Sequence, residues 1–256
     1  MTDSATIEAI YRYPVKGLSP EPLPRTELER GRTVPFDRAY AIENGRSGFD
    51  PANPVYMPKI RFLMLMRNER LATLRTKFDD HNHTLSIHWE RREAARGDLR
   101  TPEGRAAIER FMAEFEADEL RGPPKVLAAP GHSFSDVAKK VISIINLASV
   151  AELENAAGAP VDPLRFRGNL LVKGWPAWRE FDLLGETIAI GPKARLKVVK
   201  RIVRCAATEV DPDTGIRDLP IPKTIMDTWG HADCGVYAEV IEGGPIAQRD
   251  TIRVIG

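Results

Sequence analysis

Apolar and polar positions alternate over several short stretches in the first third of the chain, the pattern of strands with one buried face. The span 5–13 alternates loosely and stops at Pro14. The span 39–43 (AYAIE) lies between Asp37-Arg38 and Asn44-Gly45, and 62–66 and 84–89 are two further runs. Between these last two, Leu71, Leu74 and Phe78 fall on one face of a helix, which predicts a helix over 69–78. A longer helix is expected after Thr101, a good N-cap, with Pro102 at the first helical position and Glu103 in the first turn. Ile108, Phe111, Met112 and Phe115 give it one apolar stripe, and it stops before Gly122-Pro123-Pro124. That cluster marks the expected internal boundary, so two domains are expected, 1–122 and 123–256.

In the second half, a strand over 141–145 leads into a helix over 146–157 that ends at Gly158, a natural C-terminal cap. Ser149 and Glu152 have capping-box spacing, with Asn146 as the other candidate cap. Strands are expected at 169–173, 187–190, 196–203, 236–240 and 251–255. The strands of the first third, without crossover helices, predict an antiparallel sheet or barrel, in a fold that is mostly β (α+β). No internal repeat is visible.

Composition narrows the class. With 256 residues, 43% of them hydrophobic, the chain can build one large core or two small ones. A net charge of +1 argues against a nucleic-acid protein built on basic excess, yet leaves room for a local basic pocket. No apolar run is long enough to span a bilayer, and no secretory signal is visible at the N-terminus. Cys205 and Cys234 are too few for a disulfide framework or a four-thiolate iron–sulfur cluster, so a reducing, cytoplasmic setting is expected. His81 and His83 stand beside Asp79 and Asp80 and read as a solvated turn.

Three clusters carry candidate chemistry. Residues 201–215 join a β-branched strand to Arg204-Cys205 and then to a turn, Asp-Pro-Asp-Thr-Gly. Arg201 and Arg204 bring positive charge near the thiol, which favours the thiolate, the form that binds soft metals. On residue type alone Cys205 reads more readily as a small buried hydrophobe. In 162–169, Arg165, Arg167 and Asn169 project from one face if the segment is extended, which suits a phosphate or another planar oxyanion. An exposed charged strand face is the other reading. In Tyr13-Pro14-Val15-Lys16-Gly17, Lys16 is either a point charge for a phosphate or a surface lysine at a strand end.

Together the three clusters resemble a known family. YPVKG, DRAYAI, INLASVAEL, RFRGN, the RC…DPDTG segment and GVYAEV follow the order found in proteins with an N-terminal β-barrel domain and a molybdenum cofactor sulfurase C-terminal (MOSC) domain. The mitochondrial amidoxime reducing component and its bacterial counterparts are the functional relatives this suggests. The resemblance implies a β-barrel-like N-terminal domain packed on a MOSC β-barrel domain with a few helices. It implies a molybdenum cofactor (Mo-molybdopterin) ligated by Cys205. It assigns Lys16, Arg38, Arg165, Arg167 and Asn169 to the pterin dithiolene and its phosphate, with Arg204 in the same cradle. Asn146 and Ser149 match a helix N-terminus used by family members, a natural anion site. The implied activity is reduction of a small N-hydroxylated substrate, with electrons from an external donor protein of iron–sulfur, flavin or haem type. A cofactor carrier, or a sulfur-transfer protein using Cys205, is the alternative. The sequence departs from the family at Gly17, where Ser is usual, at Gly168, where Pro is common, and at Cys234, where an aromatic or aliphatic residue is usual; Cys234 reads as a buried hydrophobe.

Overall fold

The structure is a computed structural model that describes residues 4–255. The first half contributes β1 (Ser4–Arg12), β2 (Glu21–Leu23), β3 (Arg25–Leu28), β4 (Tyr40–Glu43), β5 (Arg75–Asp79), β6 (Thr84–Trp89), β7 (Arg92–Asp98), helix α1 (Pro102–Phe115) and β8 (Lys125–Ala128). The second half contributes β9 (Ile142–Asn146), α2 (Leu147–Ala157), β10 (Leu170–Lys173), α3 (Arg179–Asp182), β11 (Thr187–Ile190) and β12 (Ala194–Val203). It ends with α4 (Ile221–Trp229), β13 (Asp233–Glu242), β14 (Gly244–Ala247) and β15 (Thr251–Ile255).

The molecule is mostly β and its main sheet closes on itself. The strands run β10-β9-β13-β12-β11-β15-β1, and β1 returns to β10, so a seven-stranded barrel has no free edge. β1 comes from the far end of the chain, yet its Ala5, Ile7 and Ile10 point into the same core as Ile144, Val172, Ile188 and Val198. β9 and β10 pair in parallel, and α2 supplies the crossover such a pair needs. This strand–helix–strand order is the one expected over 141–173.

A second core lies beside the barrel. The meander β5-β6-β7 and the β4–β8 pair bury Val15, Leu71, Ile87, Ile108 and Met112 with α1 packed across them. The Thr101 hydroxyl accepts a hydrogen bond from the Gly104 amide at 3.0 Å, which caps α1 as expected. Gly104 also lets the helix touch β7, because a Cβ on Gly104 would lie 2.1 Å from the Asp98 carbonyl oxygen.

Several local expectations are corrected. In 62–66 only Phe62 pairs, through a single bridge to Glu43, and Asn68 accepts from the Met64 amide at 3.2 Å to turn the chain. In 69–78 only Glu69–Thr73 coils, as a short 3-10 helix, before β5 begins. Leu71, Leu74 and Phe78 reach the same core either way, and pairing of Phe78 with Leu85 in the hairpin decides for strand. Asn146 caps α2 by accepting from the Ala148 amide at 3.2 Å, so the Ser149–Glu152 capping box does not form. Among the described residues, no helix is long and apolar enough to cross a membrane.

Candidate functional site

The end of β12 delivers the thiol. Arg204 leaves the strand with its amide bonded to the Ala232 carbonyl at 2.7 Å, and Cys205 stays extended at the start of a short 3-10 turn, Ala206–Glu209. The Thr208 amide and hydroxyl both donate to the Cys205 carbonyl at 3.0 Å, which fixes the backbone as it turns. The Asp-Pro-Asp-Thr-Gly turn then folds on Asp211, whose carboxylate accepts from the amides of Asp213 at 3.1 Å and Thr214 at 2.7 Å. Arg217 stitches this loop to the second core through the carbonyls of Ala206 at 2.7 Å and Met66 at 2.9 Å. Cys205 is half-buried and faces a cleft between the barrel and the second core. Cys234, by contrast, is wholly buried in an apolar cluster, and burial pushes its thiol up to about 12.

Cations crowd the cleft. Lys16, Arg38, Arg165, Arg167 and Arg204 line it, joined by Lys59, Lys200 and Arg201, against two carboxylates, Asp37 and Asp136. In a chain of net charge +1 this is a strong local excess. Lys59 donates to the Cys205 sulfur at 3.2 Å and pairs with Asp136 at 3.5 Å. Lys16 pairs with the same Asp136 and donates to the Phe134 carbonyl at 2.9 Å. Burial lowers the Lys16 ammonium below its ordinary range. Burial works against ionisation of Asp136 as well, but Lys16 and Lys59 outweigh it and hold the carboxyl well below the usual range.

Arg38 and Arg167 sandwich the Tyr13 ring, each guanidinium carbon 4.3 Å from its centroid. Arg38 pairs with Asp37 at 2.6 Å and donates to the Arg167 carbonyl at 2.9 Å. Arg167 donates to the Leu18 carbonyl at 2.9 Å and forms no ion pair among the described residues, and burial pushes it down to about 10, still protonated at neutral pH. Both arginines sit in the left-handed backbone region, with φ of 51° and 50°. That conformation costs a non-glycine residue about 1–2 kcal/mol, a strain that clusters at functional sites. Arg204 donates from Nε to the Cys234 carbonyl at 2.7 Å and from Nη1 to the Phe166 carbonyl at 2.9 Å.

Two matches to known families cover this fold and this cleft. Residues 4–123 match the MOSC N-terminal beta barrel domain, and residues 129–253 match the MOSC domain. The chain belongs to the MOSC family. MOSC domains are associated with binding of the molybdenum cofactor. Among solved structures, the chain is similar to the YuaD protein from Bacillus subtilis, at 14% identity and a TM-score of 0.45, over 98% of this chain and 95% of that one. It is also similar to YiiM from Geobacillus stearothermophilus, at 22% identity and a TM-score of 0.36, over 45% of this chain and 54% of that one. Likenesses at this level carry no argument about activity. No curated protein matches the chain.

The MOSC cleft gathers most of the residues that the sequence singled out, but not in the geometry expected. The segment 162–169 is not extended: Pro163–Phe166 is a 3-10 turn and Arg167 is left-handed, so Arg165, Arg167 and Asn169 do not share one strand face. Arg165, its side chain 2% exposed, braces the loop after Cys205 through Asp211 at 3.2 Å and Asp218 at 2.8 Å. Its buried Nε has no hydrogen-bond partner among the described residues. Asn169 lines the cleft, yet its amide is committed to the Ser143 amide at 3.0 Å and the Tyr11 carbonyl at 3.1 Å, which tie β1 to β9. Asn146 and Ser149 lie off the cleft, and their assignment to it is corrected. Both side chains are instead committed to the buried Glu180 carboxyl, to which the Asn146 amide and the Ser149 hydroxyl donate at 2.9 Å each, and burial raises the pKa of that carboxyl. Lys59 and Asp136 are site residues that the sequence did not reveal. Each is a single charge in an irregular segment, with no spacing signal to mark it.

Proposed function

We propose that this MOSC protein is a molybdenum-cofactor-binding oxidoreductase that reduces small N-hydroxylated compounds with electrons from a separate donor protein. The observation that carries this reading is the reachable Cys205 sulfur at the wall of a strongly cationic cleft. The residues present fit such a group. A thiol that becomes a thiolate ligand suits a soft metal, and buried Arg167, Lys16 and the unpartnered Arg165 Nε suit a pterin phosphate. Arg38 and Arg204 would complete the cradle, and Asn169 would hold its strands in place. When bound, the cofactor supplies the redox centre. The chain's own residues bind the anion, present the sulfur and exclude water, and Lys59 and Asp136 set the sulfur's immediate surroundings. In this reading residues 1–122 and 123–256 form the two halves of the cleft.

The test is molybdenum content of protein made in a cofactor-competent host, followed by an assay with an artificial reductant and an amidoxime. Bound molybdenum with N-reduction is the expected result. Molybdenum without turnover would make the protein a cofactor carrier, and a persulfide on Cys205 without molybdenum would make it a sulfur-transfer protein. Either result overturns the proposed activity.

A further inference from the structure

A second cavity, of about 600 Å³, opens on the other side of the Phe36–Arg38 segment. Its volume lies within the ~300–1,000 Å³ of small-molecule sites. It belongs to no part of the cleft, apart from Asp37, which contributes to both walls. Asp37 is already committed to Arg38 at 2.6 Å and to the Tyr13 amide at 2.9 Å, so its charge is not free for a ligand.

The chemistry of the walls is uneven. Arg32, Arg100, Arg105 and Lys140 line the cavity, against Asp37 and Glu29. Arg100 is held by Asp98 at 2.7 Å. Among the described residues, no carboxylate forms an ion pair with Arg32, Arg105 or Lys140. Arg32 and Lys140 share this lining, and burial, then the Arg32 charge, lowers the Lys140 ammonium. Arg32 rests on the turn at Gly131, where its Nη1 lies 3.0 Å from the position of a Cβ. A bare cluster of cations in a concavity is a site for an anion.

The cavity also has aromatic lining. Phe36 meets the His83 ring edge-on at 5.2 Å, and the Tyr40 hydroxyl lies 2.5 Å from His83 Nδ1. Phe36 is half-buried and sits at a φ of 63°, a strained conformation for a bulky side chain. Rings and unpaired cations in one cavity match a ligand with a planar ring and an anionic group.

We propose that this cavity is a second ligand site, built for a ring-bearing organic phosphate of the nucleoside monophosphate class. The ring packs against Phe36 and His83, and the phosphate meets Arg32 and Lys140. The site is independent of the cofactor reading, since it shares no cationic residue with the cleft.

The experiment is calorimetric titration of the full chain with AMP, with inorganic phosphate and with adenosine. AMP is expected to bind at least tenfold more tightly than either fragment. The double variant Arg32→Ala/Lys140→Ala changes two side chains that form no ion pair among the described residues. It should weaken AMP by tenfold or more with its melting temperature unchanged, because each charge-assisted bond to phosphate is worth about one to two decades of affinity. His83→Ala should weaken AMP while leaving inorganic phosphate unchanged. Arg167→Ala, in the cleft, should leave AMP binding intact. No binding at millimolar AMP, equal binding of AMP and inorganic phosphate, or loss of AMP binding in Arg167→Ala but not in the double variant would each overturn the proposal.

Discussion

Cys205 and Cys234 differ in almost every property that decides what a thiol does. Cys205 is reachable and accepts from Lys59 at 3.2 Å, whereas Cys234 is wholly buried with its thiol pushed up to about 12. Thiol labelling of the cofactor-free protein should therefore modify Cys205 at least tenfold faster. Cys205→Ser should keep the melting temperature and lose bound molybdenum. Cys234→Ser should lower stability by about 1–3 kcal/mol, because it buries a hydroxyl in an apolar cluster. Faster labelling at Cys234 would remove the central assignment. The arginines divide in the same way. Arg167→Ala should weaken cofactor retention by tenfold or more, measured as molybdenum retained against a chelating competitor. Arg165→Ala should act on the fold as well, since it frees Asp211 and Asp218; with Asp218 43% exposed, the loss should be about 1–2 kcal/mol in chemical unfolding. Cys205 and its arginines were legible because they stand in short local clusters. Lys59 and Asp136 were not, because only the folded chain brings them to the sulfur.

Elements whose ends are set locally were legible as well. Thr101, Asn146 and Gly158 cap their helices through atoms two to four residues away, so the sequence contains the whole signal. β5 and β7 are different. The spacing of Leu71, Leu74 and Phe78 suits a helix, and β7 (REAARGD) has little apolar alternation, so only pairing with β6 decides them. The end of α1 carries a further consequence. Glu116 is buried and one of its oxygens has no partner, while the other shares Asn68 with Glu119. Burial, then the Glu119 charge, pushes the Glu116 carboxyl from 4.5 up to about 7. The folded chain thus keeps a proton that the unfolded chain has already released between those two values. The contribution of this proton is fully present below pH 4.5 and is lost as pH rises through 7, on the order of 3 kcal/mol. Glu116→Gln should flatten the decline in unfolding free energy between pH 5 and pH 8 and leave the variant more stable than the parent at pH 8. Parallel pH profiles for the two proteins would show that the carboxyl is ionised in the fold.

At the scale of the whole molecule, barrel closure depends on the strand that is farthest away in sequence. β1 fills the gap between β10 and β15, and without it both would present unpaired edges. Its Ile7 and Ile10 are fully buried in the barrel core. Burying two such side chains is worth about 3–6 kcal/mol, a large share of the roughly 5–15 kcal/mol that holds a typical domain together. A fragment of residues 123–256 should therefore aggregate or melt without a cooperative transition, although it contains every other barrel strand. The register suggests how to restore it. Ser4 pairs with Arg253 and Thr6 with Thr251, so the start of β1 lies beside the end of β15 in an antiparallel pair. Residues 4–28 appended after residue 256 through a short Asn-Gly turn should re-enter the barrel as the second arm of a hairpin. Differential scanning calorimetry should then show one cooperative transition for the rearranged fragment and none for 123–256 alone. A fragment 123–256 that melts cooperatively at the temperature of the full chain would mean that the barrel closes without β1.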